Sequence, residues 1–101
     1  MRRVSARTVV DNLRARDLLD LVDEVSAHRG VLVHDLCGRV RTRSVSWARQ
    51  EVWWRLRNHP ERYYSMLEIG RLFGRDHATI KAGIDAHCRR LAAMGTAEGK
   101  V

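Results

Sequence analysis

Two short stretches carry the residues that could do chemistry in this chain. Arg75-Asp-His-Ala-Thr79 sets a cation, a carboxylate, an imidazole, a methyl and a hydroxyl side by side. Gly38-Arg-Val-Arg-Thr-Arg-Ser44 sets arginines at alternate positions. Guanidinium groups fork onto phosphates and guanine edges better than ammonium groups do. Small and polar side chains at the start of a helix suit base edges, and its free N–H groups suit phosphate. The chemistry on offer is recognition of a polyanion, not bond-making.

Other constellations point elsewhere and are weaker. His34-x-x-Cys37 has the spacing of a zinc-ligand pair, and His87-Cys88 could complete it. Adjacent residues on a helix point about 100° apart, so His87 and Cys88 do not converge, and no metal is expected. A Cys–His nucleophile has no pocket signal around it, so no enzyme is expected. Trp47, Trp53, Trp54, Tyr63 and Tyr64 could stack single-stranded bases. Their helical spacing assigns them instead to core and rim.

The elements that must position the two stretches are helical. The 101 residues suit one small domain, and they hold one proline and no alternating run of useful length. Apolar residues from about Ala6 to His28 fit one helix, or two meeting near Arg16-Asp17 with Asp17 as cap, ended by Gly30. A short helix fits Val33 to Cys37, stopped by Gly38. A longer one, capped by Ser44 or Ser46, buries Val45, Ala48, Val52 and Leu56, with either Trp53 or Trp54 as anchor. Ser65 to Phe73 is helical and stops at Gly74. A last helix begins at Asp76, with Ile80, Ile84, His87, Cys88 and Leu91 on one face and Ala78, Lys81, Ala82, Asp85 and Arg89 on the other. After Met94 the tail frays. The expected organisation is a basic arm and helix over 1–16, a helical unit over 17–94, to which the resemblance described below assigns DNA binding, and a flexible tail over 95–101.

Lys and Arg number 19 against 12 Asp and Glu, a net charge of +7, and all but Lys81 and Lys100 are arginines. That balance suggests nucleic acid as partner before membrane. Cys37 and Cys88 lie in apolar patterns and are expected as reduced core thiols in the cytoplasm. No stretch approaches the length of a membrane span.

Two helices joined by a Gly-containing turn form the layout of a helix-turn-helix, whose second helix enters the major groove. Glu68-Ile-Gly-Arg-Leu-Phe-Gly-Arg-Asp-His-Ala-Thr-Ile80 resembles the signature of the C-terminal DNA-binding domain of the bacterial replication initiator DnaA. Val33-His-Asp-Leu36 and Arg41-Thr-Arg-Ser-Val-Ser-Trp-Ala-Arg-Gln50 occupy matching places upstream. The resemblance covers roughly Leu18 to Leu91. It implies an all-α, Trp-repressor-like fold that binds a short duplex box, with no cofactor. It places Arg41 in the minor groove, with Thr42 and Arg43 along the backbone. Arg49 would face bases and Gln50 phosphate, with Asp76, His77, Ala78 and Thr79 in the major groove. Arg75, Lys81 and Ala82 border that turn, and Arg57 is expected to face phosphate.

The chain also departs from that family. Only Gly74 stands where the family has two glycines, and Ala78 replaces a threonine. Lys81 and Ala82 stand where Leu and His are usual, and Asn58 to Tyr64 is a longer linker. No GxxxxGK[ST] occurs in these residues, so a stand-alone binder without the initiator's motor is expected. These features fit a nucleoid-associated transcription regulator first, a replication regulator at origin boxes second, and a protein-binding adaptor third. Transcription or replication machinery would be the protein partner of the first two.

Overall fold

The computed structural model describes residues 4–98, and these form six helices and no strand. They are α1 (Ala6–Ala15), α2 (Leu19–Arg29), α3 (Val33–Cys37), α4 (Arg43–Arg57), α5 (Met66–Phe73) and α6 (His77–Glu98). One core joins them. Val9 and Leu13 of α1, Val22 and Val25 of α2, Leu36 of α3, Val52 and Leu56 of α4, Ile69 of α5 and Ile80 of α6 are all fully buried. Each such side chain contributes about 1.5–3 kcal/mol through removal from water. The molecule measures 45 × 26 × 25 Å. A helix of α6's length spans about 33 Å, which accounts for much of the long axis.

Most boundaries follow local chemistry. Ser5 caps α1 by accepting from the Thr8 N–H, and Val4 packs half-buried against the core. Of the basic arm expected ahead of the first helix, residues 1–3 lie outside the described residues. Gly30 closes α2 in the left-handed region, and Gly38 follows α3. Val45, Ala48, Val52 and Leu56 are buried as their spacing predicts. Trp53 is the anchor, and Trp54 is half-buried against His87.

Several details differ from the sequence reading. The first stripe is two helices, but Asp17 is not the cap. It adopts a left-handed φ of 58° in the turn, and Leu18 precedes α2 without a side-chain cap. The residue before α4 is Thr42, not Ser44 or Ser46. Cys37 is buried, and burial pushes its thiol up to about 12 against the opposing charge of Arg49. Cys88 is exposed, because the inner face of α6 runs through Ile80, Gly83, Ile84 and His87. Leu91 is exposed too. The helix continues past Met94 to Glu98, and 99–101 lie outside the described residues.

An ion network fastens α2 to α4. Glu51 is buried and accepts from Arg29 Nε at 2.5 Å and from Arg55 Nε at 3.0 Å, and Arg55 also reaches Glu24 at 2.7 Å. Burial alone would raise the Glu51 pKa. The hydrogen bond and charge of Arg29, then Arg55, outweigh it and hold the carboxyl below its ordinary range. This fixes the orientation of α4, against which the arginine loop and the start of α6 are placed.

Candidate nucleic-acid interface

The elbow between α5 and α6 is built from caps. The Ser65 hydroxyl accepts from the Glu68 N–H while the Glu68 carboxylate accepts from the Ser65 N–H, a reciprocal box that starts α5. Gly74 ends it with φ 66°, a conformation that side chains rarely adopt, and its N–H donates to the Gly70 carbonyl. The Arg75 N–H donates to that same carbonyl at 2.9 Å. Asp76 then caps α6, accepting from the Thr79 N–H at 2.8 Å. That backbone hydrogen bond holds the Asp76 carboxyl below its ordinary range, and the one from Ser65 does the same for Glu68. His77, Ala78 and Thr79 are left exposed on the first turn.

Gly83 brings α6 onto α4. A Cβ there would lie 2.5 Å from the Trp53 ring, so only hydrogen fits between the helices. The close approach brings Thr79 and Ala82 into one cleft with Gln50.

The arginine loop is held differently. Arg39, Val40, Arg41 and Thr42 are exposed, and the loop's position depends on the side chain of Arg49. Arg49 is only 4 % exposed. Its Nε donates to the Leu36 carbonyl at 2.8 Å, and its Nη2 donates to those of Asp35 and Val40 at 2.9 Å each. Burial, then the nearby charges of Arg75 and, more weakly, Arg39, bring its pKa down to about 10. Arg49 therefore remains charged at neutral pH. Loop and elbow are also clasped to each other. Arg39 Nη2 donates to the Gly74 carbonyl at 3.2 Å, and Arg75 Nη2 donates to the Gly38 carbonyl at 3.0 Å.

The result is an open, basic cleft of about 710 Å³ between the loop, α4 and the start of α6. Arg39, Arg41, Ser46, Gln50, Thr79 and Ala82 line it, together with the less exposed Arg49, Trp53, Arg75 and Gly83. Among the described residues no cluster of His, Cys, Asp or Glu could hold a metal ion, and no helix is long and apolar enough to cross a membrane.

The sequence profile described as the bacterial dnaA protein helix-turn-helix matches residues 19–86. The chain belongs to this family. The chromosomal replication initiator protein DnaA of Tropheryma whipplei (strain Twist) is 31 % identical over 80 residues, covering 74 % of this chain and 16 % of that protein. The DnaA of Herpetosiphon aurantiacus is 42 % identical over 65 residues, covering 63 % and 13 %. The chain thus matches only a small part of the length of these relatives. No solved structure matches significantly.

Within this DnaA-type helix-turn-helix, the residues singled out in the sequence sort into groups. Arg41, Gln50, Thr79 and Ala82 share the cleft, and Arg75 stands at its edge as part of the clasp. His77 and Ala78 are exposed on the same first turn as Thr79, and Asp76 is engaged as cap. Lys81 pairs with Asp85 at 2.8 Å on the outer side of α6. Thr42 precedes α4, and its carbonyl accepts from the Ser46 N–H at 2.9 Å. Arg43 lies outside the cleft, over the Trp47 ring.

One placement corrects the sequence reading. Arg49 does not aim at bases, because three backbone carbonyls engage its guanidinium. Arg57 lies outside the cleft, 4.1 Å over the Tyr63 ring, and reaches the Tyr64 carbonyl. The sequence reading placed Arg39 in the basic loop but gave it no role of its own, its alternation with Arg41 and Arg43 being its only signal. It missed Arg90, which donates to Gln50 Oε1 at 2.7 Å from 40 residues away.

Proposed function

We propose that this chain is a sequence-specific duplex-DNA binder that regulates transcription, using the α6 tip in the major groove and the arginine loop in the adjacent minor groove. The observation that carries this is the shared cleft: Arg41 lines it from the loop, while Thr79 and Ala82 line it from α6. In this reading Arg41 enters the minor groove, where negative potential is high. His77 and Thr79 offer hydrogen bonds to base edges, and Ala78 offers a methyl to thymine. Gln50 reaches phosphate through its amide N–H, its oxygen being taken by Arg90. Arg49 acts as a positioning residue that presents the loop. These residues contain no phosphate-binding loop motif, so occupancy of a site is the activity they can supply. A second reading, control of replication at origin boxes, is favoured by the initiator names of the relatives. Genome-wide occupancy separates the two, promoters supporting the first and clustered origin sites the second.

Fluorescence polarisation against selected and random duplexes, at two salt concentrations, tests the proposal. Binding through several phosphates weakens steeply with salt, with a slope of roughly 0.9 per phosphate neutralised. A flat response, or tight binding to an acidic protein instead, would assign the cleft to an adaptor role.

A further inference from the structure

A second basic surface continues from the cleft along α4. Trp47 is 38 % exposed and lies between two arginines. The Arg43 guanidinium sits 5.8 Å from its ring centroid, and that of Arg90, from the second half of α6, sits 4.4 Å away. Among the described residues neither Arg43 nor Arg90 forms an ion pair. Arg29 is nearby, but its charge is matched by Glu51. Burial, then the positive charges of Arg29 and Arg89, lowers the Arg90 pKa, so cations prevail around it. An open pocket of about 520 Å³ adjoins the Trp47 ring, lined also by His28, Arg29, Arg43 and Ser44.

We infer that Trp47, Arg90 and His28 extend the backbone contact that the resemblance implies for Arg43 into a second phosphate-binding site, which holds duplex backbone flanking the segment read in the cleft. The inference rests on the DNA-binding reading above and extends it. Three features favour duplex phosphate as the occupant. The surface is continuous with the cleft: Arg43 follows Arg41 by two residues, and Gln50 both lines the cleft and accepts from Arg90. Its guanidiniums carry charge that no carboxylate compensates. The indole holds both of them in place, which lowers the ordering cost of binding a backbone.

The test uses the full chain and its preferred duplex, selected from a random pool. Affinity is compared for the selected core and for the same core extended by ten base pairs on either side in turn. The quantity read is the ratio of extended to core affinity, so general losses cancel. The wild-type ratio should be about ten or more for one of the two extensions, the scale of hydrogen bonds to a charged group. Arg90→Gln, which keeps a partner for Gln50 but removes the charge, should bring that ratio close to one. It should also lower the salt slope by about 1 on the extended duplex only. Trp47→Ala should reduce the ratio less. A wild-type ratio near one for both extensions, or a ratio that Arg90→Gln leaves unchanged, overturns the site. Binding of an acidic peptide that Arg90→Gln abolishes, with no flank effect, would assign the surface to a protein partner and also overturn it. If the wild type shows no preference for any duplex, the cleft reading itself has failed, which is a separate result.

Discussion

Between Gly38 and Thr42 the chain forms no regular element, whereas between Gly74 and Asp76 it runs from one helix directly into another. The elbow is held mainly by local contacts: the Ser65–Glu68 box, the left-handed Gly74 and the Asp76 cap each act within five residues, and two hydrogen bonds, Arg39 to Gly74 and Arg75 to Gly38, clasp it to the loop. The loop is held by a side chain from outside it, Arg49, which gathers carbonyls from Asp35, Leu36 and Val40. Two regions facing one cleft are therefore vulnerable in different ways. The elbow should tolerate the loss of any one contact, and the loop should not tolerate the loss of Arg49.

The largest expected effect breaks that contrast at its weaker side. Arg49→Met leaves the Leu36 and Val40 carbonyls without this donor and the Asp35 carbonyl with the Gly38 N–H alone, and should cost about 2–4 kcal/mol in urea unfolding. Arg49→Lys should not restore this, because a point ammonium cannot match the fork. Cognate binding should be lost even at temperatures where the variant is folded. An Arg49→Met protein of wild-type stability and affinity would remove the clamp from the account.

Smaller effects are expected at the tips. His77→Ala and Arg41→Ala should each weaken cognate duplex by about 1–3 kcal/mol while altering random-duplex binding much less. Unfolding stability should stay within about 0.5 kcal/mol, since both side chains are exposed. Equal losses on cognate and random duplex would mean that these residues touch phosphate only.

The smallest effect separates the regions by pH. The Asp76 and Glu68 carboxyls lie below their ordinary values of 3.8 and 4.5 in the folded state. Their contribution is complete above those values and is lost as pH falls through the lowered folded ones. Arg49 stays charged throughout that range. Amide protection factors at Ser65 and Thr79, whose N–H groups these carboxylates accept from, should therefore fall on acidification before those within Gly38–Thr42 do. His87 adds a global loss that begins earlier. Burial lowers its pKa from 6.5, against the raising effect of Glu51 and with Arg90, Arg29 and Arg55 adding to the depression. Protonation below 6.5 thus favours the unfolded chain, and Glu68→Gln identifies the local share.

The same contrast explains what could be read from the sequence. Gly30, Gly38, Gly74, Ser65 and Asp76 act on their immediate neighbours, so helix ends were legible wherever they stand. The elbow was legible for the same reason. Arg49 was not, because its acceptors lie 9 to 14 residues away and become neighbours only once α3 packs on α4. Arg90 and Gln50 meet across 40 residues. Asp17 was misread as a cap because aspartate serves both caps and left-handed turns. Cys88 was misassigned because periodicity alone cannot distinguish it from the adjacent His87 as the buried residue.

An amide chemical-shift titration with the selected duplex tests the two-groove grip most directly. With both grooves gripped together, signals from Arg39 to Arg43 and from Asp76 to Ala82 should move together and saturate at one duplex per chain. Shifts confined to one of these segments, or centred on α1 or on Arg57 to Tyr63, would contradict that grip.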